Sequence, residues 1–571
     1  MLYVLGSLAF LQIIFLPGFL FLRYLKIKTQ TFVEKIIFIF ALSLIINFIL
    51  VFSLTLLKLY QPPVFYLIFI LEVIIFLPTI VNKNIIFRLK IPKKCSFFLK
   101  IFFVVCLLVI IRFLYPFFQN LSLKSVFLEG DVIDSWNIWA IQWAKNKIPL
   151  TTYHYPQLIP ANWSLTYIFM KNTTIEYFAK LLMPLFSIAL LLIFFDLAKQ
   201  RKKISYIFGA IITAGLLHYY LDNSYLRDGY PDIAFAFFAF LPFYCFLLFQ
   251  ENKNYQYLFL MLIFALGSFL TKQLGIYIVF LASILPTQLF LSQGNKLKTI
   301  KNPLFLFSFF LLVLIIFWYI LKLPEIKTAY NIESIYRAAM TDKLTQFSLS
   351  SRFLRSLKLL VPNLKGVLII GFITLLTLFS LKEKLSQKLF FFLILPLFIF
   401  WSLFLNYDQR NLIVIFPYLG YTTALGFIFF LNLFPYIAVA LHCKKKIISF
   451  NFRSLYFFLL LLLIFIVVFL TVPNNKLIYQ QIEGKKQIGL PELNLRLYQY
   501  YYKNGFSGKI ITSYYRLCQL PEIGQYCIYS PKKITKGKYF LYQKEWLTKS
   551  LKSYRQIFSW SNWVFGQQEV N

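Results

Sequence analysis

Uninterrupted apolar runs of about 18 to 23 residues recur along this chain, each long enough to cross a bilayer as an α-helix. Fourteen such runs are read, at residues 2–22, 35–57, 63–81, 98–118, 174–195, 204–221, 231–249, 255–271, 274–291, 302–321, 361–380, 388–404, 411–434 and 454–472. Of 571 residues, 60% are hydrophobic and 14% charged, too little polar surface to cover the core of a soluble domain this size. The expected fold class is an all-α polytopic membrane protein of about 14 transmembrane helices. The first run lacks a basic lead-in and a small-residue cleavage site, so it reads as a retained span rather than a signal peptide.

The net charge of +37 invites a nucleic-acid reading, and its distribution argues against one. Basic residues gather in alternate loops: Arg23, Lys26, Lys28 and Lys35; Lys83 to Lys100; Lys199 to Lys203; Lys253; Lys296 to Lys301; Lys382 to Lys388; Lys444 to Arg453. The short intervening loops carry only Lys58, Arg227, Lys272 and Arg410. Such asymmetry follows the positive-inside rule, with the lysine-rich loops cytoplasmic and facing anionic lipid. The chain then divides into four spans (1–118), a first large outer loop (119–173), a transmembrane core (174–472) with an outer loop at 322–360, and an outer C-terminal unit (473–571). In that last unit, β-prone runs such as "KIITSYYRL" and "KYFLYQKEW", separated by Pro and Gly, predict a small α/β domain. It also holds Cys518 and Cys527, between which an oxidising compartment permits a disulfide. Three scattered histidines, with no Cys/His cluster, speak against zinc.

The segment "EGDVIDSWNIWAIQWAK" stands out in so apolar a chain. As a helix, it gathers Trp136, Trp139 and Trp143 within about 60° and carries Asp131 and Asp134 on the adjoining side. The tryptophans are expected to face headgroups and the acids a cavity. The plain alternative is an interfacial anchor whose first-turn acids suit the helix dipole. "YHYPQLIPANW" follows, where Pro156 and Pro160 are expected to break any helix. Later outer turns read "LRDGYPDIAFAF", "LTKQLG" and "DQRNLIVIFP", placing Arg227, Asp228, Asp232, Lys272 and Arg410 beside span ends. Asp232 also reads as a first-turn acid, and either cation as a snorkelling anchor.

The ordered set GD…W…AK, YPxLIP, DGYPDIAFAF, LTKQLG and QRNLIVIFP over roughly 120–435 resembles the C-type glycosyltransferase superfamily. These are polytopic enzymes that use polyprenyl-phosphate sugars. Two departures are present. The acidic loop follows the fourth span rather than the first, and Gln273 stands where an acid is frequent. The resemblance implies an integral-membrane glycosyltransferase, in bacteria of the inner membrane, with active site and C-terminus extracytoplasmic. It moves a sugar from a polyprenyl-phosphate donor to a glycan, lipid or protein acceptor with inversion. It further implies Asp131 as general base with Asp134 in reserve, and Asp228 and Asp232 as acceptor support or ligands to a divalent cation (Mg or Mn). Arg410, Lys272 and Arg227 would hold the donor phosphate, while His154 and Tyr155 line the sugar site. A monophosphate leaving group permits a metal without demanding one. Two other classes stay open: a glycan polymerase or ligase leaning on Arg337, Arg352 and Arg355, and a lipid-linked-glycan transporter or flippase.

Overall fold

A computed structural model describes residues 2–81, 86–87, 126–127, 129, 131–149, 155–173, 175–201, 203, 205–220, 229–291, 310, 313, 317, 320, 348–405, 408–431, 450–451, 491–514, 517–518, 520, 523, 526–529, 539–544 and 554–568. The membrane-type region begins with α1 (Leu2–Ile14), α2 (Leu16–Tyr24), α3 (Phe32–Leu56) and α4 (Pro62–Val81). The stretch 119–173, expected as a loop, contains α5 (Asn137–Ala144) and α6 (Leu158–Met170), and after it come α7 (Tyr177–Arg201), α8 (Ser205–Tyr220), α9 (Asp232–Asn252), α10 (Gln256–Thr271) and α11 (Gly275–Leu291). The set continues with α12 (Leu349–Leu360), α13 (Leu364–Ser380), α14 (Lys384–Leu405, with two π turns), a 3-10 turn at Gln409–Ile415 and α15 (Phe416–Leu431). Six spans among the described residues are long and apolar enough to cross a membrane. The expected count of about 14 exceeds that number, and the runs at 98–118 and 454–472 lie outside the described residues.

Local chemistry explains several boundaries. Thr31 caps α3 by accepting the Glu34 N–H at 3.0 Å, while Glu34 accepts the Gln30 N–H at 2.9 Å, a reciprocal satisfaction of donors that a helix start leaves free. Asn363 caps α13 through the Gly366 N–H at 2.9 Å. Pro160 does not break the chain as expected. It occupies the first turn of α6, where its missing N–H would have had no helical partner anyway.

Helix packing fixes which ends meet. Neighbours α9 and α10 are antiparallel, so the start of α9 lies beside the end of α10. Helix α15 packs on α8 and α13 through small residues: a Cβ at Gly209 would lie 2.6 Å from the Gly420 carbonyl oxygen. At the opposite ends of these helices, Asp196 accepts from Thr31, Gln200 and Tyr244, and Glu34 accepts from Tyr257, tying α3, α7, α9 and α10 together. Tyr244 stands twelve residues beyond Asp232, about 18 Å along α9.

The C-terminal unit is α/β as expected. Helix α16 (Pro491–Asn504) precedes a five-stranded sheet in the order β4 (Cys527–Tyr529), β3 (Ile510–Thr512), β5 (Tyr539–Gln543), β7 (Trp563–Gln568), β6 (Tyr554–Trp560). Strand β3 pairs parallel with β4 and β5, and the rest is antiparallel. Two further short strands, β1 (Ile86–Phe87) and β2 (Phe450–Asn451), pair with each other apart from this sheet. Cys518 and Cys527 form a disulfide across a Cα–Cα distance of 5.0 Å.

Candidate functional site

The site gathers where α9 starts, α10 ends and α15 is entered. Asp232 opens α9 directly after Pro231, and its carboxylate accepts from Lys272 Nζ at 2.5 Å. Lys272 caps the end of α10 in extended conformation, which carries its side chain past the last helical turn toward the α9 start. It also donates to Asn411 Oδ1 at 3.3 Å. Burial pulls the Lys272 ammonium down, and the Asp232 carboxylate outweighs that pull, leaving its pKa above the ordinary lysine value.

Arg410 is built into the turn before α15. Asp408 starts that turn by accepting the Arg410 backbone N–H at 2.9 Å, and the same carboxylate accepts from Arg410 Nε at 2.6 Å. One residue thus fixes both the backbone and the guanidinium. The guanidinium carbon lies 4.1 Å from the centre of the Tyr230 ring, a cation–π contact that adds about 0.5–2 kcal/mol. Its Nη2 reaches Asp131 Oδ2 at 3.3 Å, across 279 positions of sequence.

Asp131 stands at the head of a π turn, Val132–Trp136, that runs into α5. This segment is pinned from α6 and α7. Buried Glu176 accepts the Phe127 N–H at 2.9 Å and the Asn137 amide at 2.8 Å, while the Tyr167 hydroxyl donates to Asn137 at 2.5 Å. Lys180 Nζ donates to the Val126 carbonyl at 2.6 Å. Both flanks of Asp131 are thereby anchored, and the carboxylate itself is left 63% exposed against 7% for Asp232. Asp232 is thus enclosed with Lys272, whereas Asp131 meets Arg410 at the surface.

Gly229, just before α9, packs against this segment. It has φ +107°, and a Cβ there would lie 2.6 Å from Val132 and 2.9 Å from Phe127. Tyr155 completes the wall. Its ring meets Trp136 at 5.3 Å and Trp139 at 6.3 Å.

Five expected site residues therefore meet at one end of the bundle: Asp131, Tyr155, Asp232, Lys272 and Arg410. The tryptophans differ from expectation. Trp136, Trp139 and Trp143 are at most 5% exposed and turn into the protein instead of outward to headgroups, with Trp143 against Phe52 of α3. Burying three indoles removes more apolar surface from water than an interfacial belt does, so they anchor the acid-bearing segment to the bundle. Asp134 lies within the π turn, and its side chain is outside the description. His154, Arg227 and Asp228 fall outside the described residues. Asp408, Asn411, Tyr230, Asn137 and Glu176 join the site without having been expected there. Only Asp408 had a local signal, the Asp-x-Arg spacing in "YDQRN".

The described donors do not make a metal cradle. Asp232 is held by Lys272, Asp408 by Arg410, and among the described residues no group of three or more His, Cys, Asp or Glu converges. Two side-chain cations supply the positive charge here. No family model matches the chain, and no curated protein or solved structure matches it.

Proposed function

We propose that this chain is a membrane glycosyltransferase that moves a sugar from a polyprenyl-phosphate donor to an extracytoplasmic acceptor, with inversion at the anomeric carbon. The observation that carries the reading is the convergence of one open carboxylate, Asp131, on two held cations, Arg410 and Lys272, beside an aromatic wall. Transfer from a phosphate leaving group needs a base for the acceptor hydroxyl and positive charge for the departing phosphate. Asp131 takes the hydroxyl proton as the oxygen attacks the anomeric carbon from the face opposite the phosphate. The carbon–phosphate-oxygen bond breaks, and the phosphate leaves with one more negative charge than it had as a diester.

The Asp131–Arg410 contact couples these two events. While ionised, Asp131 shares Arg410 with Asp408. Once it accepts the proton, its hold on the guanidinium weakens, and the cation becomes available as the phosphate gains charge. Lys272, kept protonated by Asp232, provides a second point charge. Tyr155 is suited to lie along a sugar face.

Purified protein in lipid, given polyprenyl-phosphate sugars and candidate acceptors, is expected to release polyprenyl phosphate only when acceptor is present. Full turnover by Asp131→Asn and Asp134→Asn would overturn the base assignment. Acceptor-independent or absent release across the donor series would overturn the transferase reading.

A further inference from the structure

Helix α12, "LSSRFLRSLKLL", belongs to the site end of the bundle yet takes no part in the chemistry above. Its C-terminal carbonyls are claimed by two neighbours: Leu359 accepts from Gln409 Nε2 at 3.0 Å, and Leu360 from the Tyr220 hydroxyl at 2.6 Å. Gln409 immediately precedes Arg410, so α12 ends one residue from the site. At 100° per residue the apolar side chains share one arc, with Leu360 between Leu349 and Phe353, and Lys358 and Arg355 lie on the other side. Ser356 and Leu360 are buried against the bundle, and Arg352 reaches the Leu403 carbonyl at 3.3 Å. Leu349, Phe353 and Leu354 form an apolar sector, 61%, 40% and 58% exposed. Arg355 and Lys358 are exposed on the remaining side, and the helix carries no acid.

A water-facing helix has no reason to present that apolar sector, and a lipid-buried one has no reason to carry the basic side. An amphipathic helix in the plane of the interface satisfies both, apolar side chains among acyl chains and cations among phosphates. The apolar sector also continues into the adjacent start of α13, where Leu364, Val367 and Leu368 are 74%, 51% and 66% exposed. We infer that α12 is an interfacial lipid-binding helix that recruits anionic phospholipid headgroups of the leaflet at the site end, through Arg355 and Lys358. The inference stands apart from the transferase reading, because neither its observations nor its test involve sugar transfer.

The test uses the full chain in nanodiscs of phosphatidylcholine with about one-fifth phosphatidylglycerol. A photo-reactive p-benzoylphenylalanine at Leu354 is expected to form adducts with lipid acyl chains. Native mass spectrometry is expected to find phosphatidylglycerol retained above its bulk fraction. The Arg355→Gln/Lys358→Gln variant should bring the retained phosphatidylglycerol back to about its bulk one-fifth, since each surface cation contributes about fivefold to the association, while the lipid adduct at Leu354 persists. Adducts to protein or none at all, or retention unchanged in the double variant, would overturn the inference. Thermal melting of the double variant checks that it is folded, and Ser350→Gln serves as a charge-neutral control expected to retain lipid as the parent does.

Discussion

Replacing Lys272 by Met leaves Asp232 buried without its cation, so the substitution is expected to cost about 3–5 kcal/mol of stability and to abolish turnover. The double variant Lys272→Met/Asp232→Leu removes both charges and should recover most of the melting temperature but no activity. Recovery of both would make the pair structural only. The pH sign follows from the same pairing. Because the folded pKa of Lys272 is raised, its contribution is fully present below the ordinary value of 10.5 and is lost only as pH climbs through the higher folded value. An alkaline fall in activity below pH 10 therefore belongs to another group. Asp131→Asn, by contrast, should leave melting nearly unchanged, since that carboxylate is mostly exposed, and lower kcat by about 10²–10⁴-fold. Asp131, Lys272 and Arg410 were legible in the sequence because charge is costly beside apolar spans and stands out there. Tyr230 and Asn137 were not. An aromatic that carries a cation and an amide that bridges two helices look like any other Tyr or Asn until the chain brings their partners near.

Among elements, the long helices were legible because a run of apolar residues leaves a backbone in lipid almost no other way to satisfy its hydrogen bonds. Helix α6 was hidden by Pro160, expected to break it, and it carries the polar residues Asn162, Ser164 and Thr166. In the fold all are buried, and these side chains bond to backbone carbonyls of Leu158, Ala161 and Trp163. Close helix approach was equally silent, since glycine carries no marker of what lies opposite it. Helices α8 and α15 offer an internal control for that approach. Gly209 faces the Gly420 carbonyl, whereas a Cβ at Gly215 on the same helix would meet nothing within 4 Å. Gly209→Ala must therefore push α15 away and is expected to destabilise by about 1–3 kcal/mol. Gly215→Ala should be neutral or slightly stabilising through helix propensity. Melting of the two variants in one detergent decides it, and equal behaviour would mean the interface is loose. Because α15 is entered through Arg410, the Gly209 variant should also lose turnover out of proportion to its melting shift.

At the scale of the whole molecule, two unrelated features bear on the orientation that the proposed function requires. The first is charge: the turn at Lys253 lies at the far end of α9 and α10 from Lys272, on the side where the basic loops gather. The second is redox chemistry: the disulfide of Cys518 with Cys527 persists in an oxidising compartment and is reduced in most cytosols. Under the proposed function, the first bears on an outside site end and the second on an outside C-terminal unit. They can be tested together in intact cells with a membrane-impermeant thiol reagent. The background is a chain whose Cys95, Cys106, Cys245 and Cys443 are alanine. Single cysteines at Lys147, beside the acid-bearing segment, and at Lys503, on α16, should label without permeabilisation. Cysteines at Lys253 and Lys382 should label only after it. Labelling of Lys503→Cys but not Lys147→Cys would separate the C-terminal unit from the site end and remove it from any role at the acceptor. The fully inverted pattern would put Asp131 on the cytoplasmic face, where an extracytoplasmic acceptor never meets it, and the proposed transfer would fall with it.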